Sequence, residues 1–173
     1  MTMLLRIFYA GRVRRWHTNP VLSRTDDYLD GHHARVARII LALHPNPSFH
    51  LITAALTHDD GESETGDMPA PFKNSLPDPI RAALDTWEAS GRQAVWGEAP
   101  HDLSVDDAAW LKLADRLDAY MWAMHHGANM LRDGWPESRS KITSLALKVA
   151  DLTPGVAEFQ VYDAIGETLE AME

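Results

Sequence analysis

The chain has 173 residues, 45% of them hydrophobic and 24% charged, with a formal net charge of −9 and no cysteine. These figures fit one globular domain with a sizeable core, and they exclude disulfides, thiolate catalysis and cysteine zinc sites; an acidic chain is also repelled by nucleic-acid polymers. No run approaches the roughly 18 apolar residues that a membrane span needs, and the opening MTMLLRIFYAGRVRR lacks the order of a secretory signal, so the cytoplasm is the expected compartment.

In chain order, the first feature is cationic. Arg6, Arg12, Arg14, Arg15 and Arg24 all precede the first acidic residue, Asp26. Such a segment is either a solvated basic stretch or a contact for an anionic small molecule. After His32 and His33, the residues Val36, Ile39, Ile40 and Leu43 fall at i, i+3, i+4 and i+7, which predicts an amphipathic helix that Pro45 and Pro47 stop. Ser48 is the expected N-cap of a second helix through Leu51, Ile52, Ala55 and Leu56, running into His58-Asp59 and ending near Gly61.

The stretch from Gly66 to Pro79 contains Pro69, Pro71, Pro77 and Pro79 and is expected to be mainly loop. A helix follows over Ile80 to Trp87. Ser104 with Asp107 resembles a capping box that opens a long helix, in which Trp110, Leu113, Ala114, Leu117, Tyr120, Met121 and Met124 keep helical spacing and Asp115 is embedded. Further helices are expected over Ser138 to Val149 and along Val161, Ile165, Leu169 and Met172. No trustworthy strand pattern or internal repeat is present, so the expected class is all-α, one compact helical domain over 1–173. Trp87, Trp96 and Trp135 are assigned either to the core or to an interface.

The chemistry-bearing residues are His32, His58, Asp59 and Asp115, followed within the block HDDGESETGDMPAPFK by Glu62, Asp67 and Lys73. Neutral imidazoles and carboxylates suit zinc, manganese, cobalt or iron, and two of each leave coordination positions open for water and a phosphate oxygen. Taken singly, each residue has an ordinary alternative: a histidine near a helix start is often a hydrogen-bonded surface residue, and Asp115 could simply pair with Lys112 or Arg116 on the exposed face of its helix.

The block, together with Arg15-Trp16, HHARVA and LKLADRLDAY, resembles the HD-domain metal-dependent phosphohydrolases. It is similar to the small bacterial HD 5′-nucleotidases and to the phage triphosphohydrolases acting on dATP, over about the first two thirds of the chain. The resemblance implies an HD-domain helical fold with His32, His58, Asp59 and Asp115 as metal ligands, His33 being the rival of His32. It implies Glu62 beside the reacting water, Asp67 in proton transfer or positioning, Lys73 and Arg15 on phosphate oxygens, and Trp16 lining the nucleoside pocket with Thr18 near the base. The expected substrate is a deoxynucleotide and the expected partner a second copy of the chain. Gly31 stands where the bacterial enzymes carry a glutamate, which leaves base and sugar recognition open; the shortness of the chain and the sequence WHT after Arg15 lean the reading towards the dATP-hydrolysing group. A signalling-nucleotide hydrolase and a non-catalytic nucleotide-binding protein are the other readings; retention of Glu62, Asp67 and Lys73 argues against the last.

Overall fold

The computed structural model describes residues 1–97, 103–128, 137–153 and 158–172. All regular structure among them is helical: eight α-helices, two short 3₁₀ turns and a single isolated bridge between Arg14 and Tyr28. The all-α expectation holds. No helix among the described residues is long and apolar enough to cross a membrane. Backbone contacts group the chain into two compact units, Met1–Ala34 with Leu56–His101, and Arg35–Ala55 with Asp102–Glu173.

In the first unit, α1 (Met3–Gly11) is a helix that the hydrophobic pattern did not announce; Thr2 caps it by accepting a hydrogen bond from the Leu5 amide. A 3₁₀ turn (Leu22–Arg24) leads to the start of α2 (Leu29–Leu43), whose later turns belong to the second unit. A second 3₁₀ turn (Asp60–Ser63) follows His58-Asp59. The stretch expected to be mainly loop instead holds α4 (Ala70–Ser75) and the opening of α5 (Asp78–Trp96). The correction has a plain cause. Pro69 and Pro77 are N-caps and Pro71 and Pro79 lie in the first turns, where a missing amide hydrogen costs nothing and the fixed φ favours helix. Trp87 is exposed and Trp96 partly so, while Trp135 lies outside the described residues.

The second unit packs the rest of α2 with α3 (Phe49–Ala55), α6 (Val105–His125), α7 (Ser138–Leu152) and α8 (Glu158–Ala171). Its core is Val36, Ile40, Leu51, Trp110, Leu113, Leu117, Ile142, Val149, Ile165 and Leu169, all essentially removed from solvent and largely the residues whose spacing predicted the helices. Polar anchors fix the helix ends. The Ser48 hydroxyl accepts from the Leu51 amide and donates to Asp107 Oδ2, both at 2.9 Å, and Ser104 Oγ accepts from the Asp107 amide at 3.0 Å, so caps of α3 and α6 interlock. The buried Trp110 indole donates to Thr153 Oγ1, which donates to Asp106. Arg35 forms a two-point pair with the buried Asp118 and stacks over Trp122.

Ser48→Ala removes both a helix cap and the bond to Asp107. It is expected to destabilise the protein by about 1–2 kcal/mol, read as a lowered urea midpoint at unchanged m-value.

Candidate metal centre

The site begins where α3 stops. The expected helix through His58-Asp59 ends instead at Ala55, and the chain turns through residues 56–59 into the 3₁₀ turn Asp60–Ser63. The reason is contact with α5. A Cβ on Gly61 would lie 2.0 Å from the Glu88 carbonyl oxygen, and one on Gly91 would lie 2.8 Å from the Gly61 oxygen, so two glycines let these backbones touch. The turn therefore follows the surface of α5 rather than continuing α3.

His32 and His33 both lie in the early turns of α2 and both are buried. His32 Nε2 is 3.3 Å from His58 Nε2, and Asp59 Oδ2 lies 3.6 Å from the first and 3.4 Å from the second. One ligand atom from each of His32, His58, Asp59 and Asp115 falls within 4.8 Å of the others. Two imidazole nitrogens and two carboxylate oxygens that converge in this way can hold a divalent ion, with coordination positions to spare. Of the two adjacent histidines it is His32 that enters this group.

His33 is turned elsewhere. Its Nδ1 is 3.8 Å from Asp60 Oδ1, its Nε2 is buried without a hydrogen-bond partner, and its ring packs against that of His58. Burial, reinforced by His58, lowers its pKa from 6.5 to about 3, so it is neutral. Burial raises Asp60 to about 6, opposed by the Trp96 indole, which donates to Asp60 Oδ2 at 2.7 Å.

Glu62 is 4% exposed, and its Oε2 is buried without a partner. Burial first, then the charges of Asp59 and Asp67, push its pKa up to about 9, against the pull of Lys73. The Lys73 ammonium lies 3.1 Å from Glu62 and 2.8 Å from Glu88. Burial opposes the Lys73 charge, yet the two glutamates outweigh it and hold the ammonium above its ordinary range. Both shifts are upward, so Glu62 and Lys73 each hold a proton more tightly than in water.

The Arg15-Trp16 corner is held by two carboxylates. Asp27 Oδ2, almost wholly buried, accepts from Arg15 Nη1 at 3.0 Å and from the Trp16 indole at 2.8 Å. Trp16 has φ 63°, the left-handed region that a bulky residue rarely enters, and Asp67 Oδ2 accepts from its amide at 3.0 Å. Asp67 thus acts on the backbone of Trp16. Thr18 is exposed.

Sequence reasoning missed Asp27, Asp60, Glu88, Arg92 and Trp96. The only signal for Asp27 was a second acid following Asp26, which any surface segment shows; Asp60 stands in the turn itself, directly after Asp59, and Glu88, Arg92 and Trp96 become neighbours of the turn through tertiary contact alone. No family model, curated protein or solved structure matches the chain.

Because His33 is neutral in the folded state and its ordinary pKa is 6.5, it contributes stability that is present above 6.5 and lost as pH falls towards about 3. Asp60 has the opposite sign, its contribution fading as pH rises from 3.8 to about 6. Melting curves in chelator between about pH 7 and about pH 4 should therefore show a shallower acid loss of Tm for His33→Gln than for the parent chain, since Asp60 is common to both.

Proposed function

We propose that this chain is a metal-dependent phosphohydrolase of deoxynucleotides, acting on dATP to give deoxyadenosine and phosphates. The observation that carries the reading is the convergence of His32, His58, Asp59 and Asp115 with Glu62 on the turn that immediately follows the ligand pair. Binding alone does not call for a buried acid with a raised pKa and a flanking ammonium; phosphoryl transfer uses both.

His32, His58, Asp59 and Asp115 would hold the ion. When bound, a divalent cation supplies Lewis acidity, polarising a phosphate oxygen and lowering the pKa of water from about 15.7 towards about 7. Glu62 moves the proton: the upward shift of its pKa makes its carboxyl able to deliver a proton to the leaving oxygen and its carboxylate form a stronger base than an ordinary glutamate. Such a group contributes roughly 10²–10⁴-fold. Lys73, already between two carboxylates, neutralises charge gathering on equatorial phosphate oxygens. Arg15 shares Asp27 with the Trp16 indole and thereby stiffens the wall against which the nucleoside packs, while Asp67 holds the Trp16 backbone.

The same residues serve a 5′-deoxynucleotidase, so the number of phosphates removed is read from products. The chelated protein is reloaded with one metal at a time, manganese, cobalt, zinc or iron, and given deoxy- and ribonucleoside mono-, di- and triphosphates. Deoxyadenosine with the phosphates of dATP released supports the reading, phosphate from monophosphates alone moves it to the nucleotidase, and no hydrolysis of any nucleotide overturns it.

Asp59→Ala and Asp115→Ala are expected to lose metal and activity while retaining helical circular dichroism; unchanged metal stoichiometry in either removes that residue from the ligand set. Glu62→Gln should keep the metal and lose at least about 100-fold in kcat. An apolar indole edge leaves a ribose 2′-hydroxyl unpaired at about 1–3 kcal/mol, which predicts roughly 5- to 150-fold preference for dATP over ATP, reduced in Trp16→Ala. Equal rates on the two sugars exclude that role for Trp16.

A further inference from the structure

We infer that one face of α5, carrying Glu88, Gly91, Arg92 and Trp96, is positioning machinery for the turn that bears the His58-Asp59 pair and Glu62. The inference deepens the proposed metal-dependent reading and rests on it.

The four residues stand at i, i+3, i+4 and i+8, a spacing that places them along one helix face. Each grips a different part of the turn. Arg92 Nη1 donates to the His58 carbonyl oxygen at 2.6 Å, fixing the backbone from which that imidazole projects. Trp96 Nε1 donates to Asp60 Oδ2 at 2.7 Å, at the residue directly after the ligand Asp59. Gly91 lets the Gly61 backbone lie against the helix: a Cβ there would meet the Gly61 oxygen at 2.8 Å, its Cα at 3.1 Å and its carbonyl carbon at 3.3 Å. Glu88 holds Lys73 at 2.8 Å, and Lys73 in turn reaches Glu62. The chain between His58 and Glu62 is thus held at four points by side chains or backbone outside the ligand set.

Metal coordination tolerates errors of about 0.2 Å, whereas a backbone neighbour at 2.8 Å must be displaced by several tenths of an ångström to admit a methyl group. Gly91→Ala therefore separates two effects that usually travel together. Alanine is the better helix former, so α5 itself gains, while the turn is pushed off its seat. Gly166 on α8 supplies the matched control, because a Cβ there meets nothing within 4 Å.

The test uses the full chain, stripped with chelator and titrated calorimetrically with Mn²⁺ or Co²⁺ alone, without nucleotide, beside far-ultraviolet circular dichroism. Gly91→Ala is expected to stay helical and to bind the ion about 10- to 100-fold more weakly, and Gly166→Ala to bind as the parent does. Arg92→Ala and Trp96→Phe, which delete the two hydrogen bonds without adding bulk, should each weaken binding by about 10-fold, with Arg92→Lys recovering part of the loss. These variants decide the matter if Gly91→Ala does not fold. Parent-like affinity in folded Gly91→Ala, or in both Arg92→Ala and Trp96→Phe, overturns the positioning role while leaving the metal site standing. A parent chain that binds neither ion removes the metal site and the inference with it.

Discussion

The contact between Gly61 and the backbone of α5 sets the position of the turn that follows His58-Asp59 and carries Glu62. No side chain fits between Gly61 and the Glu88 carbonyl, so the turn Asp60–Ser63 can approach the helix only as bare backbone. With the turn held there, His58 and Asp59 lie outside helical geometry, and the Glu62 carboxyl is buried deeply enough to raise its pKa. A helix continued through residues 56–61 would place His58 and Asp59 at successive 100° steps on a cylinder. In the turn both reach the same point, with Asp59 Oδ2 3.4 Å from His58 Nε2.

Buried carboxyl groups are the second organising theme. Asp27, Asp60, Glu62 and Asp118 are all nearly inaccessible, and each faces a donor: Arg15 with Trp16, Trp96, Lys73 and Arg35 respectively. Isolated carboxylates would not be tolerated in such positions, since the desolvation of one ion costs several kcal/mol. The pairs do not add much net stability by that reasoning. What they provide is definition, because removing either partner strands the other and the arrangement has few alternatives.

Much of the helical framework was legible in the sequence, for a physical reason. In α2, α6, α7 and α8 the apolar residues recur at three and four, and burial follows the same residues: Val36 and Ile40, Leu113 and Leu117, Ile142 and Val149, Ile165 and Leu169. Prolines misled, since a residue that breaks helix interiors is also suited to helix starts, and Pro71 and Pro79 occupy the latter. The four candidate ligands could be named from their order and lie in one group. Arg92 and Trp96 could not, because each meets its partner across 34 and 36 residues of chain and neither belongs to a local pattern. The double duty of Asp27 was hidden in the same way: an acid in a mixed-charge segment reveals nothing about an indole 11 residues earlier.

Trp16 adds one more consequence. A tryptophan in the left-handed region costs roughly 1–2 kcal/mol relative to ordinary backbone, and the ring is then tied by its indole nitrogen while the amide is tied by Asp67. The conformational cost is settled when the chain folds, before any molecule arrives. Reorganising this corner requires breaking two hydrogen bonds at once, so under the proposed reading its selectivity would be of the lock-and-key kind: misfit would show as fast departure, and fit would draw on no ordering entropy at the moment of encounter.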